Sequence, residues 1–454
     1  GTPAAPLGTV TSGLGDGCNV VTGNLDRPGG AMFTCPATGS ATTRGAARVG
    51  RGMRIGDRWS RVRGLPVAMG ELPAVCLAEE ITTPGEGQIR GMVVVAGNPV
   101  LSVPDGDAVD AALASLDFMV AVDIYRNETT RHADVILPAP SALQKSHYDV
   151  ALLQLAIRNV ANYSAPVLPL DDGAPDEWEI LARLALIAQG MGADADPAIV
   201  DEAMVAGLVA SSLADETSPI HGRDEAEILD ALADRRGPER LLDFMLRTGP
   251  YGDGFGAVPD GLSLATLEAH PHGVDLGPLQ PRMPDALRTP DGMIDLAPEV
   301  LIDDVAGRLT DALAAAESST DTLMLIGRRH LRSNNSWMHN VRVLVKGKGR
   351  CTLQMHPDDA TRHGVGDGDD VVITSATGSI AAPVEVSDAL RPGVVSLPHG
   401  WGHDADGAEL AIARGVAGVN VNRIVDATAV DPISGTAVLN GVPVTVAAAA
   451  GSPV

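Results

Sequence analysis

The chain is 454 residues long, 45% apolar and only 3% aromatic, with a formal charge of -25. That balance excludes a nucleic-acid-binding role, which rests on neutralising many phosphates, and speaks against anionic membrane surfaces. No run of about 18 apolar residues occurs, so no membrane insertion is expected, and the length suits roughly two to four domains. Cys18, Cys35, Cys76 and Cys351 stand far apart and form no Cys-x-x-Cys pair. They read as reduced thiols of a cytoplasmic protein, with neither a zinc nor an iron–sulfur ligand set among them. The chain begins at Gly1 without a leader-like segment, and so reads as a fragment or a processed product.

In chain order, Val20 and Val21 close a helix, Gly23 and Asn24 suit its C-terminal turn, and Pro28-Gly29-Gly30 forces a loop. Arg44 to Arg63 is basic, rich in Gly and lacks apolar periodicity, which predicts a mobile, solvated connector. From Gly91 the pattern changes. Met92 to Ala96, Phe118 to Val122 and Ala133 to Pro138 are short apolar runs, the first of them continuous as in a parallel strand covered on both faces, and Asp107 to Leu116 is helical. Together they predict an α/β, Rossmann-like, partly parallel sheet. Ligands of such sheets sit beyond the carboxyl ends of the strands, where Gly97, Asn98 and Asp123 fall. An acid at Asp123 suits a ribose hydroxyl or the N–H edge of a purine; it equally suits a helix cap or a turn.

Asp176 to Ala188 is an amphipathic helix with acids in its first turn. Further helices follow at Glu225 to Ala233, Pro238 to Arg247 and Asp303 to Ala316, and 317–321 reads as a linker. Beyond it the sign of the charge reverses, for no Asp or Glu occurs between Asp321 and Asp358. The apolar run Leu323 to Ile326 predicts a buried strand, and Gly327 a sharp turn. Arg328, Arg329, His330, Arg332, Ser333, Asn334 and Asn335 then supply a dense set of donors, suited to a phosphate or pyrophosphate. The plainer alternative is a basic loop paired with the acidic remainder of the chain.

The last third has short strands at Cys351 to Met355, Asp370 to Ser375, Ile380 to Val386 and Val394 to Leu397, a hairpin turn at 376–379 and a helical turn at 356–360. Short strands without long crossover helices predict a compact β-barrel. His399 and His403 around Gly-Trp-Gly could ligate a metal, but a ring packed on a cofactor is the reading we favour, and no metal ligand is assigned.

Five segments, in this order, carry a family resemblance: Thr22 to Gly30; Gly97-Asn-Pro99; Val122-Asp123 with Ala133 to Pro138; Gly327 to Asn335; and Leu397 to Gly402. The chain resembles the C-terminal portion of the molybdopterin oxidoreductases of the dimethyl sulfoxide reductase type, which include formate dehydrogenases and nitrate reductases. The resemblance implies a bis(molybdopterin guanine dinucleotide) cofactor carrying molybdenum or tungsten. It places Asn98, Val122 and Asp123 at a guanosine, and Lys145 and Asp176 at further cofactor contacts. Ile326, Gly327 and the segment from Arg328 through Leu331 to Asn335 would wrap a pyrophosphate and pterin, and His399, Asn422 and Asn440 would complete the pocket. It also implies a double-psi-type barrel and three regions: 1–90, the remnant of a preceding α/β domain plus connector; 91–320, the α/β molybdopterin-binding domain with a helical extension; and 321–454, the dinucleotide-binding barrel.

The family's iron–sulfur domain and side-chain metal ligand are not recognisable here, so no catalytic residue is assigned. The expected function is the cofactor-binding part of a molybdenum or tungsten oxidoreductase acting on a small substrate such as formate or nitrate. Its partner would be a missing N-terminal redox half, on an absent segment or a separate subunit. The alternatives are a non-catalytic cofactor-binding or assembly subunit, and an inert truncated fragment.

Overall fold

The computed structural model describes residues 2–43, 55–317 and 322–449. Arg44, Arg48, Arg51 and Arg54 of the expected connector, and most of the expected linker at 317–321, lie outside the described residues. Two compact units divide the chain: one of Gly1–Gly15, Met53–Pro138 and Ala297–Val454, the other of Asp16–Gly52 and Ala139–Leu296.

Helix α1 (Gly8–Val21) ends as its sequence requires, with Gly23 at φ 68°. In the first unit β1 (Ile55–Trp59) and β2 (Pro66–Ala68) pair antiparallel, and α2 (Leu77–Thr82) follows. This overturns the solvated connector for 55–63. Arg61 donates to Glu80 Oε2 at 3.2 Å and to the Thr83 carbonyl at 2.7 Å; Arg63 reaches Glu79 at 3.0 Å and the Ala427 carbonyl at 2.7 Å. Acids 16 and 19 residues away in sequence hold these two arginines in place.

Strand β3 (Gly91–Val95), helices α3 (Pro99–Ser102) and α4 (Gly106–Leu113), and strands β4 (Phe118–Val122) and β5 (Val135–Leu137) form the expected α/β unit. The three strands are parallel in the order β3-β4-β5, with Val95 opposite Val122 and Val122 opposite Leu137. Val94 and Met119 pack on Ile81, Val109 and Leu113 from α2 and α4. The other face departs from expectation: Val93 and Val95 of β3 are 55% and 46% exposed, and Phe118 of β4 is 51% exposed. A continuous apolar run marks both faces as apolar; on this second face Val120 and Val122 of β4 are buried, while β3 and the start of β4 are left open.

Six strands close the barrel: β6 (Leu323–Arg328), β7 (Leu353–Met355), β8 (Asp370–Thr374), β9 (Ser379–Val386), β10 (Val394–Pro398) and β11 (Val442–Ala448), in spatial order β6-β10-β7-β9-β8-β11. Pairs β6·β10 and β7·β9 are parallel, and the other four are antiparallel. This is the double-psi-type barrel expected. Leu323, Leu325, Leu353, Met355, Val371 and Val395 fill its core. Strand β11, unforeseen in the sequence reading, closes it, and its Val442, Val444 and Val446 point inward in strict alternation.

The second unit holds α5 (Glu177–Ala188), further helices at Ala198–Ala214, Glu225–Asp230 and Gly237–Arg247, and small antiparallel pairs that sequence reading did not foresee. No helix among the described residues is long and apolar enough to cross a membrane.

Candidate cofactor-binding site

The carboxyl ends of β3 and β4 carry the first group of candidate residues. Val122 is buried at the end of β4, and the amide N–H of Ala96 bonds its carbonyl at 2.9 Å. Ala96 adopts φ 50°, a costly conformation for alanine, and so turns Gly97 and Asn98 sharply out of the strand. Asp123 follows β4. Its Oδ1 accepts the Tyr125 N–H at 2.9 Å and its Oδ2 accepts the Asn127 amide at 3.1 Å. Each oxygen keeps a second lone pair, so a paired N–H edge of a ligand can still be accepted. Burial raises the Asp123 pKa, against the Tyr125 and Ile124 N–H groups and the Asn127 amide, which pull it down.

Asn98 spends its amide on Glu128 Oε2 at 2.8 Å, and its carbonyl oxygen accepts the Thr129 hydroxyl at 2.8 Å. Glu128 in turn lies 2.9 Å from Nδ1 of His403 in the barrel. The run Asn127 to Thr130 is wholly buried and ties Asp123, Asn98 and the barrel into one hydrogen-bonded network. Sequence analysis assigns this run no role. Its one signal was an unbroken polar run after a strand end, and nothing in the letters shows burial. The barrel answers from the other side: Asn420 and Asn422 donate to the carbonyls of Val100 at 2.9 Å and Leu101 at 2.6 Å. Asn422 is therefore placed in the seam between sheet and barrel, with its amide already engaged.

The loop after β6 is less uniform than its composition suggests. Ile326 lies within β6, and the N–H of Gly327 is held by Asn440 Oδ1 at 2.9 Å. Arg328 turns into the barrel, where it donates to the carbonyls of Ser396 and Thr352 and to the Thr352 hydroxyl. Burial depresses its pKa, against the nearby Glu385 charge, which raises it. Arg329 bonds the Asn335 side chain. His330 accepts the Arg332 N–H at 3.1 Å through Nδ1, and its carbonyl accepts the Ser333 hydroxyl at 2.9 Å. Leu331 and Arg332 are exposed. Asn334 and Asn335 have φ of 37° and 62°, successive residues in the left-handed region that turn the backbone sharply.

Gly400 packs directly beneath this turn, and any Cβ on it would come within 2.1 Å of the Asn335 carbonyl oxygen. The His399 N–H continues the β6·β10 ladder to the Arg328 carbonyl at 3.1 Å. Its half-buried ring has its pKa pushed down to about 4, by burial first and then by Arg329. In the second unit Lys145 pairs with Glu177 at 2.6 Å, and Asp176 caps α5 in a capping box with Glu179. Burial and the neighbouring acids raise the Asp176 pKa, against the Glu177 N–H and Lys145. Among the described residues no group of three His, Cys, Asp or Glu side chains could hold a metal ion.

A parallel sheet end bearing an acceptor is joined through a buried seam to a barrel that presents a donor-rich turn, an arrangement with the acceptor and donor groups that an anionic, nucleotide-like ligand requires. Residues 16–186 match the molybdopterin oxidoreductase family, and residues 323–443 match the molydopterin dinucleotide binding domain. A nitrate reductase of Symbiobacterium thermophilum is 23% identical over 396 residues, 82% of this chain and 46% of its own length. The alpha subunit of F420-dependent formate dehydrogenase 2 from Methanococcus maripaludis is 30% identical over 179 residues, 37% of this chain and 25% of its own. Among solved structures, acetylene hydratase from Pelobacter acetylenicus shares the fold at a TM-score of 0.55 and 16% identity, over 83% of this chain and 46% of that one. The chain thus spans less than half the length of each of these proteins. It belongs to the molybdopterin oxidoreductases of the dimethyl sulfoxide reductase type.

Proposed function

We propose that this chain forms part of a molybdopterin guanine dinucleotide site in a molybdenum or tungsten oxidoreductase acting on a small substrate such as formate or nitrate. The observation that carries the reading is the hydrogen-bonded path from Asp123 and Asn127, through Glu128, to His403. It joins the strand ends, where a base would rest, to the barrel whose turn would hold a diphosphate. Asp123 would accept a guanine edge. Backbone N–H groups around Asn334 and Asn335, with Arg329 and Arg332, would face the phosphates. These residues fit the group chemically: an acceptor for the base, donors for the diphosphate, and a glycine beneath the turn where no side chain has room.

When bound, the cofactor would supply two-electron or oxygen-atom exchange at its metal, while this chain binds and orients it and screens its charge. A second dinucleotide, the iron–sulfur cluster and the side chain that ligates the metal would come from the redox half expected on another segment or chain, and the assembly would be cytoplasmic.

Calorimetric titration of the chain with guanosine diphosphate tests the binding half of this reading, and binding in the micromolar range or tighter is expected. Co-expression with the neighbouring redox half, followed by metal analysis, tests the rest: molybdenum or tungsten in the complex, with formate or nitrate turnover, supports the enzyme. Dinucleotide binding without turnover by that complex would support a cofactor-holding or assembly subunit instead. No binding by either preparation overturns both.

A further inference from the structure

The second unit holds an arginine that is fixed in place and yet has one side of its guanidinium unused. The backbone N–H groups of Arg282 and Met283 both donate to Oδ2 of the buried Asp26 at 2.6 Å. Nη1 of Arg282 donates to the Thr34 carbonyl at 2.8 Å and to the Thr42 hydroxyl at 3.0 Å, and Nη2 donates to the Thr42 carbonyl. Backbone and head group are thus held together, and the segment 34–42 is tied to residue 282.

A guanidinium can grip a pair of oxygens by its end, through Nη1 and Nη2, or by its side, through Nε and Nη2. At Arg282 the two oxygens of Thr42 take the end. Among the described residues nothing accepts from its Nε–H, and Nη2, which carries two hydrogens, makes one bond. Elsewhere in this unit the same side holds carboxylates: Nε and Nη2 of Arg158 grip Asp275 at 2.8 and 2.7 Å, and those of Arg247 grip Asp253 at 3.0 and 2.9 Å. Pinning the segment 34–42 needs only the end of the Arg282 fork and Nη1. Arg282 also lines an open cavity of about 270 Å³, with Cys35, Thr42, Thr43, Asp285 and Arg288. Arg288, held by its Nε–H on the Ala41 carbonyl at 2.9 Å, adds a second positive charge to the wall.

We propose that this cavity is a carboxylate-binding site, in which Nε–H and Nη2–H of Arg282 grip the two oxygens of a small organic acid side-on. The planar fork matches a carboxylate, and the cavity leaves room for a body behind that group. Three hydrogen bonds already hold the guanidinium, so little freedom is lost when the ligand arrives. Asp285 opposes the ligand's charge from the same wall and keeps the affinity modest. None of the residues assigned to the dinucleotide lines this cavity, and the proposal does not rest on that reading.

Nitrogen-15 NMR of the full chain labelled at arginine tests this with sodium acetate as the probe. One Nε–H signal is expected to shift and saturate in the millimolar range, while sodium chloride at the same ionic strength leaves it in place. Arg282→Lys keeps the charge, loses the fork and is expected to abolish the saturating response. Because Arg282 also holds the segment 34–42, Asp285→Asn is the second variant: Asp285 is exposed, and its carboxylate bonds none of the described residues. Relief of the like charge should tighten acetate binding about two- to fivefold. An absent or non-saturating shift, or one that chloride reproduces, overturns the proposal. So does a saturating response that survives in a folded Arg282→Lys chain, or an acetate affinity that Asp285→Asn leaves unchanged or weakens.

Discussion

Arg328 donates to both the carbonyl and the hydroxyl of Thr352, at 2.8 and 2.9 Å, and so belongs to the inside of the barrel as much as to the loop that begins there. Arg332, four residues on, lies at the surface. Two arginines that look alike in sequence therefore predict opposite phenotypes. Arg328→Ala leaves buried carbonyls without a charged donor and is expected to cost about 3 kcal/mol of stability. Arg332→Ala is expected to change stability by less than about 0.5 kcal/mol, while lowering guanosine diphosphate affinity. Urea denaturation and calorimetry on the two variants separate the effects.

Asp123 is expected to set the choice of base. Asp123→Asn replaces one acceptor oxygen by a donor, so affinity for guanosine diphosphate should fall about 10- to 100-fold, with adenosine diphosphate little changed, since an unpaired polar edge is what such a site rejects. Because burial raises the Asp123 pKa, full guanine affinity should appear only as pH rises through that elevated value, above the usual aspartate range. Titrations across the acid range measure this directly, and a flat profile would count against the assignment.

Glu128 gives a pH dependence of the other sign. Burial alone would raise its pKa, but His403 and Asn98 outweigh it and the net shift is downward. A carboxyl with a depressed folded value stabilises the fold above its unfolded value and loses that contribution as pH falls through the folded one. Acid unfolding should therefore steepen below the ordinary glutamate range, and Glu128→Gln should remove that part of the curve. Circular dichroism during acid titration of both proteins reads the difference.

Gly400 has φ 88° and no room for a Cβ beneath Asn335. Gly400→Ala is expected to displace the Asn334–Asn335 turn, reducing nucleotide affinity at least about tenfold and costing about 1–3 kcal/mol in strain. Binding and melting measured on one preparation check both.

Asp431 is completely buried and accepts from the Thr9 N–H and hydroxyl at 3.0 and 2.7 Å, and from the Ser434 N–H and hydroxyl at 3.0 Å each. Burial would raise its pKa, and these donors reverse the shift. Asp431→Ala strands several of them and is expected to destabilise the chain by about 3–5 kcal/mol, seen as a lowered urea midpoint.

Much of this architecture was legible in the letters. The strand runs at 91–95 and 118–122, the short strands of the barrel and the acid-free donor loop at 322–357 follow from periodicity, glycine placement and charge, all of which are local properties of a chain. Strand β11 was equally readable, since its valines alternate, and was missed because its proline and terminal alanines diluted the pattern. The pinned arginines at 61 and 63 were not readable: an arginine beside glycines looks solvated until the fold brings Glu79 and Glu80 to it.

The candidate site divides along the same line. Residue type and spacing determined that Asp123 would end a strand and that an arginine-rich turn would leave the barrel, because each depends on neighbours a few residues away. Only the tertiary structure decided that Arg328 faces inward while Arg332 faces out, and that Glu128, His403 and His339 share a hydrogen-bonded chain whose bonded pairs lie 275 and 64 residues apart in sequence. Burial and long-range pairing are set by how the chain closes on itself, and a buried glutamate is written with the same letter as a solvated one.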